Sequence, residues 1–171
     1  MLVMKKLLEK DFLGKWNTLP PVPEDKLGNV NCHKFVLYVI GKISWEEMVS
    51  DADEQKESGA DFTFGEKARS ISDTSFTPVE DLKSLLSLAN ESLDVGKCNV
   101  GQILDAQTGE MAHSFIIKRE SDNKHICFDK PGFKYMFEIN DLESILNFVN
   151  KNGEKSNQNQ KWRFIPTDDF R

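Results

Sequence analysis

Hydrophobic residues recur at helical spacing in the first half of the chain and at a spacing of two in the second half. The helical spacing predicts three amphipathic helices. The second is broken or loosened near Gly41, and the third begins at a capping box formed by Thr77, Pro78 and Glu80. These helices are predicted over residues 2–11, 32–49 and 77–93. Between the second and third, residues 50–73 are polar and glycine-containing, so we expect a long loop or lid with little regular structure there.

The spacing of two in the second half predicts β-strands, and the links between them are short and rich in turn residues such as Gly109. Short links favour an antiparallel meander of four to six strands. Helices come first along the chain and the sheet follows, so the predicted fold class is α+β, in one domain over residues 1–171. The strands are predicted over residues 99–106, 112–119, 124–129 and 133–139, followed by a helix over 141–150 and an edge strand over 161–165.

Composition narrows the class of partner. The chain has 171 residues and a formal net charge of −6, so we expect no nucleic-acid partner, because such a partner requires a basic face. No apolar run of about 18 residues occurs, and we expect no membrane span. The first residues do not resemble a signal peptide, which favours a protein that stays in the cytoplasm or leaves it without a cleaved signal. The oligomeric state is left open.

Cys32 occupies a position that differs from those of Cys98 and Cys127. No Cys-x-x-Cys pair exists, so neither a zinc knuckle nor a thioredoxin-type redox pair is expected. A cysteine by itself is most often a small buried hydrophobic residue. Asn31, however, is a good N-cap and would place Cys32 at the first position of a helix, where unpaired backbone N–H groups lower the pKa of a thiol. This position favours a reactive cysteine.

A reactive cysteine needs a base, and the chain has three histidines. His33 follows Cys32 directly, so on a helix its side chain starts about 100° away from the thiol, which disfavours it. His113 begins an apolar strand that can face a helix N-terminus, and it is the predicted base. Asp129, at the end of the next strand, is the predicted orienting residue, and His125 is the alternative. The structural interpretation remains open for each: a surface histidine for His113 and His125, and a turn residue for Asp129.

These motifs resemble those of NlpC/P60 proteins, a papain-like superfamily of cysteine peptidases and amidases. The segment NCHKFVLYV at residues 31–39 is similar to the D-C-S-G-F-V type motif of that family, and the strand MAHSFIIK is similar to its G-H-V-G-I-Y motif. The resemblance spans residues 30–139. It implies a papain-like fold with N-terminal helices on an antiparallel sheet, Cys32 as nucleophile, His113 as base, and Asp129 or His125 as the third residue.

Two features depart from that family. His33-Lys34 replaces the usual Ser-Gly after the cysteine. The separation of Cys32 and His113, 113 − 32 = 81 positions, is long and implies a loop insertion over residues 50–75. NCHKF also resembles the N-C-E-H-F motif of lecithin retinol acyltransferase-like proteins. Their histidine precedes the cysteine, whereas no histidine precedes Cys32 here.

The resemblance implies a thiol hydrolase that cleaves an amide bond in a peptide or other amide-containing substrate, for which a cell-wall peptide is one candidate. The Cys32 backbone N–H would hold the oxyanion together with a donor from Asn29 or Asn31. A thiol hydrolase requires no metal or organic cofactor, and we expect none. A thiol acyltransferase or deamidase would use the same residues. The alternatives from another class are a catalytically inactive papain-like binding or regulatory domain, and an interaction protein that binds through an exposed aromatic tail around Trp162.

Overall fold

The computed structural model describes residues 24–52, 54–57, 60–128 and 160–170. The fold is α+β, as predicted: helices pack against a five-stranded antiparallel sheet, and a separate two-stranded hairpin precedes it. The helices are α1 (Cys32–Val39), α2 (Trp45–Val49), α3 (Phe64–Ser70) and α4 (Leu82–Ser92), with 3-10 turns at Glu24–Asn29 and Thr167–Phe170. The strands are β1 (Glu54–Glu57), β2 (Ala60–Thr63), β3 (Thr77–Val79), β4 (Cys98–Asp105), β5 (Met111–Ser121), β6 (Lys124–Phe128) and β7 (Gln160–Pro166).

The large sheet has the strand order β3-β7-β4-β5-β6. Strands β4, β5 and β6 form the predicted meander because each is joined to the next by a tight turn. The prediction of an edge strand near residue 161 was wrong, since β7 lies between β3 and β4 and pairs with both. The helix predicted over 2–11, the strand over 133–139 and the helix over 141–150 lie outside the described residues.

The segment predicted as one helix over 32–49 forms two. Helix α1 stops where Gly41 adopts a positive φ of 81°, a backbone conformation that favours glycine. Helix α2 then restarts with a capping box, in which the Ser44 hydroxyl accepts from the Glu47 backbone N–H and the Glu47 side chain accepts from the Ser44 N–H. The predicted weak point at Gly41 is therefore confirmed.

Two predictions about the middle of the chain were wrong. The polar segment over residues 50–73 is not a loop, because it contains the β1–β2 hairpin and helix α3, whose N-cap is Thr63. Thr77 is not a helix cap. It begins β3, which among the described residues pairs on one side only, with β7, and Pro78 is tolerated in such a strand. Helix α4 begins at Leu82, and its N-cap is Asp81, four residues after Thr77.

Helices cover both faces of the sheet. Helices α1, α2 and α3 pack on one face against Val100, Ile116 and Ile165. Helix α4 packs on the other face against an aromatic cluster that contains Phe115 and Trp162. Trp162 is only 1% exposed, so the expected exposed aromatic tail does not exist. Within the described part of the chain, no helix combines the length and the apolar surface that crossing a bilayer requires.

Candidate active site

Cys32 is the first residue of α1, as predicted. Asn31 caps the helix with extended backbone dihedrals (φ −91°, ψ 172°), and its side-chain Oδ1 accepts the backbone N–H of Lys34 at 2.8 Å. The backbone N–H groups of a first helical turn have no acceptor within the helix. The thiol of Cys32 therefore lies at the positive end of the helix dipole, where a thiolate is stabilised.

Two imidazoles bracket this thiol. The Cys32 side chain, which is half-buried, is hydrogen-bonded to the side chains of both His33 and His113. Burial raises the pKa of the thiol, but the positive charges and hydrogen bonds of His33 and His113 outweigh it, and the pKa lies well below its ordinary value. The structure thus brings together the predicted nucleophile and the predicted base, and adds a second histidine that sequence reasoning had set aside.

His113 is a buried residue of the sheet and not a surface histidine, with 3% of its surface exposed. It follows an irregularity in strand pairing: Ile103 lies opposite His113 whereas Leu104 lies opposite Met111, so Ala112 is an extra residue on β5. Such a bulge changes the direction of the side chains beside it. The His113 ring stacks on Phe115, with centroids 6.0 Å apart and planes inclined by 25°. The aromatic cluster therefore holds the ring whose nitrogen reaches Cys32.

His33 is held from the opposite side. Its Nδ1 lies 2.8 Å from Oγ of Ser114, the residue that follows His113 on β5. Gly65 of α3 lies beside the ring, where an added Cβ would lie 3.5 Å from its Cδ2 atom. The prediction that His33 would point away from the thiol considered only the direction of the Cα–Cβ bond. The reach of the imidazole and its bond to Ser114 determine where the ring lies.

The third residue of the predicted triad is not settled by these contacts. Asp129 lies outside the described residues. His125 is buried (3% exposed) and not solvent-facing as expected. It pairs with Arg119, six residues along β5 from His113, which corresponds to about 20 Å at the rise of a β-strand. The structure therefore does not bring His125 to the candidate base.

The asparagines predicted to serve the oxyanion have structural partners. The Asn29 Nδ2 donates to the carbonyl of Val49 at 3.0 Å, and the Asn31 side chain is the helix cap. Lys34, fully buried, donates from Nζ to the carbonyls of Asn29 (3.3 Å) and Ser50 (2.8 Å). These bonds fix the loop that leads into α1. The backbone N–H of Cys32 belongs to the first residue of α1 and has no acceptor within the helix.

A row of three buried polar residues crosses the sheet beneath α1 and α3, and sequence reasoning missed it. Ser114 of β5 lies opposite Gln102 of β4, and Gln102 lies opposite Arg163 of β7. Gln102 donates to the carbonyl of Ala68 at 2.8 Å and accepts from Nε of Arg163 at 2.7 Å. The available signal was a polar residue on the inward side of a strand whose neighbours on that side are apolar.

Arg163 ties the segment after α3 to the sheet. Its guanidinium donates to the carbonyls of Arg69 (2.6 Å), Ser72 (3.0 Å) and Thr74 (2.7 Å). It also lies 4.2 Å from the ring centroid of Phe76. We call Arg163, Gln102 and these carbonyls the arginine anchor, and Cys32, His33, His113 and Ser114 the thiol cluster. The anchor holds part of the segment that was expected to be a lid.

The described residues contain no group of three or more histidine, cysteine, aspartate or glutamate side chains arranged to hold a metal ion. All three cysteines are free thiols, and Cys127 is buried. Comparison of the chain with protein-family models, with curated proteins and with solved structures found no match. The thiol cluster is therefore the feature of the molecule from which a function can be inferred.

Proposed function

We propose that this chain is a cysteine hydrolase that cleaves an amide bond, of the papain-like, NlpC/P60 type. The observation that supports the proposal is the pairing of a thiol at a helix N-terminus with an imidazole from a distant strand: Cys32 with His113. A buried structural cysteine has no need of either feature. The low pKa of the thiol favours an enzyme over an inactive binding domain, because binding alone does not require a thiolate.

The proposed reaction has two halves. The Cys32 thiolate attacks the carbonyl carbon of the substrate, a C–S bond forms, and the carbonyl oxygen takes the electron pair as an oxyanion. The backbone N–H of Cys32 donates to that oxyanion. His113, which has taken the thiol proton, gives it to the leaving nitrogen, and the C–N bond breaks to release an amine and leave a thioester.

In the second half, His113 removes a proton from water, and the hydroxide attacks the thioester carbonyl. The C–S bond then breaks, the acid product leaves and the thiolate is restored. Phe115 keeps the His113 ring in one plane throughout. Asp129 remains the proposed partner of the second nitrogen of His113. Deamidation follows the same course with ammonia as the leaving group, and acyl transfer replaces water with another nucleophile.

The substrate proposed is a peptide or another compound with an amide bond, with a cell-wall peptide as the first to test. The test separates thiol activation from substrate choice by using p-nitrophenyl acetate, a small activated ester. We expect a burst of p-nitrophenol equal to the enzyme concentration and an acetyl group on the peptide that contains Cys32. Cys32→Ala should abolish the burst and Cys98→Ala, the matched control, should keep it.

A second arm of the test uses iodoacetamide with detection of each cysteine by peptide mass spectrometry. Near neutral pH, Cys32 should react at least about tenfold faster than Cys98 or Cys127, because the thiolate is the reacting species. His113→Gln should slow Cys32 alone. Equally slow labelling of the three thiols, with no acetylation of Cys32, would remove the enzyme proposal. Cleavage of a wall tetrapeptide, with Cys32→Ala as the control, then tests the substrate.

A further inference from the structure

We propose that His33 is a second catalytic imidazole of this site: it holds the negative charge on the Cys32 sulfur while His113 transfers protons, and Ser114 fixes its ring. This inference rests on the proposed function and deepens it. It concerns the position at which the chain departs from the NlpC/P60 motif, where a serine usually follows the cysteine.

The first support is a double attachment between α1 and β5. Cys32 meets His113, and His33 meets Ser114, so two consecutive residues of the helix bond to two consecutive residues of the strand. The separations are equal, 113 − 32 = 81 and 114 − 33 = 81. A helix terminus held to a strand at two successive points cannot rotate about either bond alone. The sulfur and the two rings therefore keep a fixed relation.

The second support is the set of contacts around the His33 ring. One ring nitrogen, Nδ1, is 2.8 Å from the hydroxyl oxygen of Ser114, and the imidazole also bonds to the Cys32 sulfur. Gly65 of α3 lies on the third side, where an added Cβ would be in ordinary van der Waals contact with the ring, 3.5 Å from Cδ2. A histidine with a purely structural role would need the Ser114 bond alone. Contact with the reacting sulfur gives His33 an influence on the thiolate.

The third support is the position of the other charges around the ring. On α1, the ammonium of Lys34 donates to two backbone carbonyls. On α3, Glu66 and Arg69 are exposed, and Arg69 donates to the carbonyl of Gly109, while Lys67 is half-buried. On α2, Glu46 is exposed and Glu47 is engaged in the helix cap. On β5, Lys118, Arg119 and Glu120 lie five to seven residues from His113, near the far end of the strand. The charges that lower the pKa of the thiol are those of His33 and His113.

Two imidazoles allow a division of roles that one does not. When His113 has given its proton to the leaving amine, it no longer carries positive charge. His33 keeps its hydrogen bond to the sulfur at that moment, and no net proton transfer to or from it is required. When the thioester is hydrolysed, His113 holds the proton taken from water, and His33 gives the sulfur a second hydrogen bond as negative charge returns to it. His33 should stabilise the sulfur most where Cys32 is a free thiolate. That is the case in the free enzyme and when the C–S bond of the thioester breaks.

The experiment is the pH profile of iodoacetamide alkylation at Cys32, measured by peptide mass spectrometry in the folded protein. Glutamine replaces each histidine, since it retains polarity without the charge. His33→Gln and His113→Gln should each move the inflection to higher pH and slow alkylation at pH 6.5 by about three- to tenfold. In the double variant, Cys32 should react like an ordinary thiol, with the inflection of its alkylation profile at a pH of about 8.5. Ser114→Ala should shift the profile in the same direction by less, and His125→Gln, the control histidine on the same sheet, should leave it unchanged.

The outcomes separate the two proposals. A His33→Gln profile that superimposes on the wild-type profile, together with a displaced His113→Gln profile, overturns the role of His33 and leaves the hydrolase proposal standing. Profiles unchanged in both variants overturn both proposals. A second measurement needs no variant: NMR titration of the histidine rings before and after Cys32 is blocked with methyl methanethiosulfonate. Both His33 and His113 should change their titration, whereas a change confined to His113 overturns the inference.

Discussion

The arginine anchor and the thiol cluster lie at opposite ends of one polar row, but their buried polar groups have different kinds of partner. In the anchor, the Arg163 guanidinium is surrounded by oxygen acceptors whose protonation does not change. Burial, followed by the charge of Arg69, lowers the pKa of Arg163 to about 10, so it stays charged at neutral pH. In the thiol cluster, an acid faces two bases.

The difference teaches how to separate a structural polar cluster from a reactive one. Backbone carbonyls satisfy a buried cation and keep its charge constant, which holds chain segments together. Titratable partners make the charge of each group depend on the others, which is what proton transfer requires. Changes in the anchor should therefore lower stability and leave thiol reactivity alone, and changes in the cluster should do the reverse. Each prediction below uses both measurements.

The largest change in the free energy of unfolding is expected from Arg163→Met, which retains much of the volume of the side chain. It leaves the carbonyls of Arg69, Ser72 and Thr74 without their donor, and we expect the free energy of unfolding in urea to fall by about 3–5 kcal/mol. The inflection of Cys32 alkylation should stay in place while the protein is folded. Leu85→Ala, a buried residue of α4 on the other face, is the control, with a loss of about 2–5 kcal/mol by cavity formation.

Amide hydrogen exchange separates these two variants. Arg163→Met should accelerate exchange over residues 69–79 more than elsewhere, since the anchor holds that segment to the sheet. Leu85→Ala should accelerate it mainly in α4. A stability loss below about 1 kcal/mol for Arg163→Met, a value typical of surface positions, would contradict the structural role assigned to the anchor.

A smaller effect is expected from Gln102→Leu, in the middle of the row. The Arg163 Nε and the Ala68 carbonyl each lose one partner, which should cost about 2–3 kcal/mol of unfolding free energy. Because Gln102 lies between Arg163 and Ser114, this variant also tests whether the anchor and the thiol cluster are coupled. A change of more than threefold in the rate of Cys32 alkylation at pH 6.5 would show that the two regions are coupled. It would contradict the separation of a structural from a reactive cluster.

The smallest effect is expected from Lys34→Met. Lys34 is a cation within the first turn of α1, only two residues from Cys32, but its Nζ donates to the carbonyls of Asn29 and Ser50. Like Arg163, Lys34 is a buried cation bound by backbone carbonyls, so its role should be structural. Lys34→Met should therefore lower the free energy of unfolding by about 1–2 kcal/mol and leave the alkylation profile in place. An inflection displaced as far as in His33→Gln would show that proximity of charge, and not the partner, controls the thiol.

Local patterns in the sequence were enough for part of this structure. The alternation in β4, β5 and β6 predicted the meander, and the Asn31-Cys32 pair predicted the helix start that holds the candidate nucleophile. The position of β7 was missed because strand pairing is decided by contacts between distant segments, which periodicity does not report. The segment over residues 50–73 was missed because its single capping signal, Thr63 followed by Glu66, lies among glycines and charges.

The same limit explains what was missed at the site. His33 was set aside on a local argument about helix geometry, whereas its ring position depends on Ser114, 81 positions away. The polar row was missed for the same reason. Taken singly, Gln102 and Arg163 are each of the residue type found on the surface of a strand. Only the register of β4 against β5 and β7 places them opposite one another. The helix start at Cys32 was signalled by adjacent residues and could be predicted, whereas the contacts around the thiol come from distant segments and could not.

The position of β7 between β3 and β4 affects how the protein folds while it is being synthesised. As the chain leaves the ribosome from its amino end, residues up to the end of β6 emerge before residues 160–166. Until then, β3 and β4 lack β7, the strand that lies between them in the sheet. Arg163 arrives with that same late strand and brings the donors for the Arg69–Thr74 carbonyls. The order of synthesis thus postpones completion of the sheet beneath the thiol until residues 160–166 have emerged.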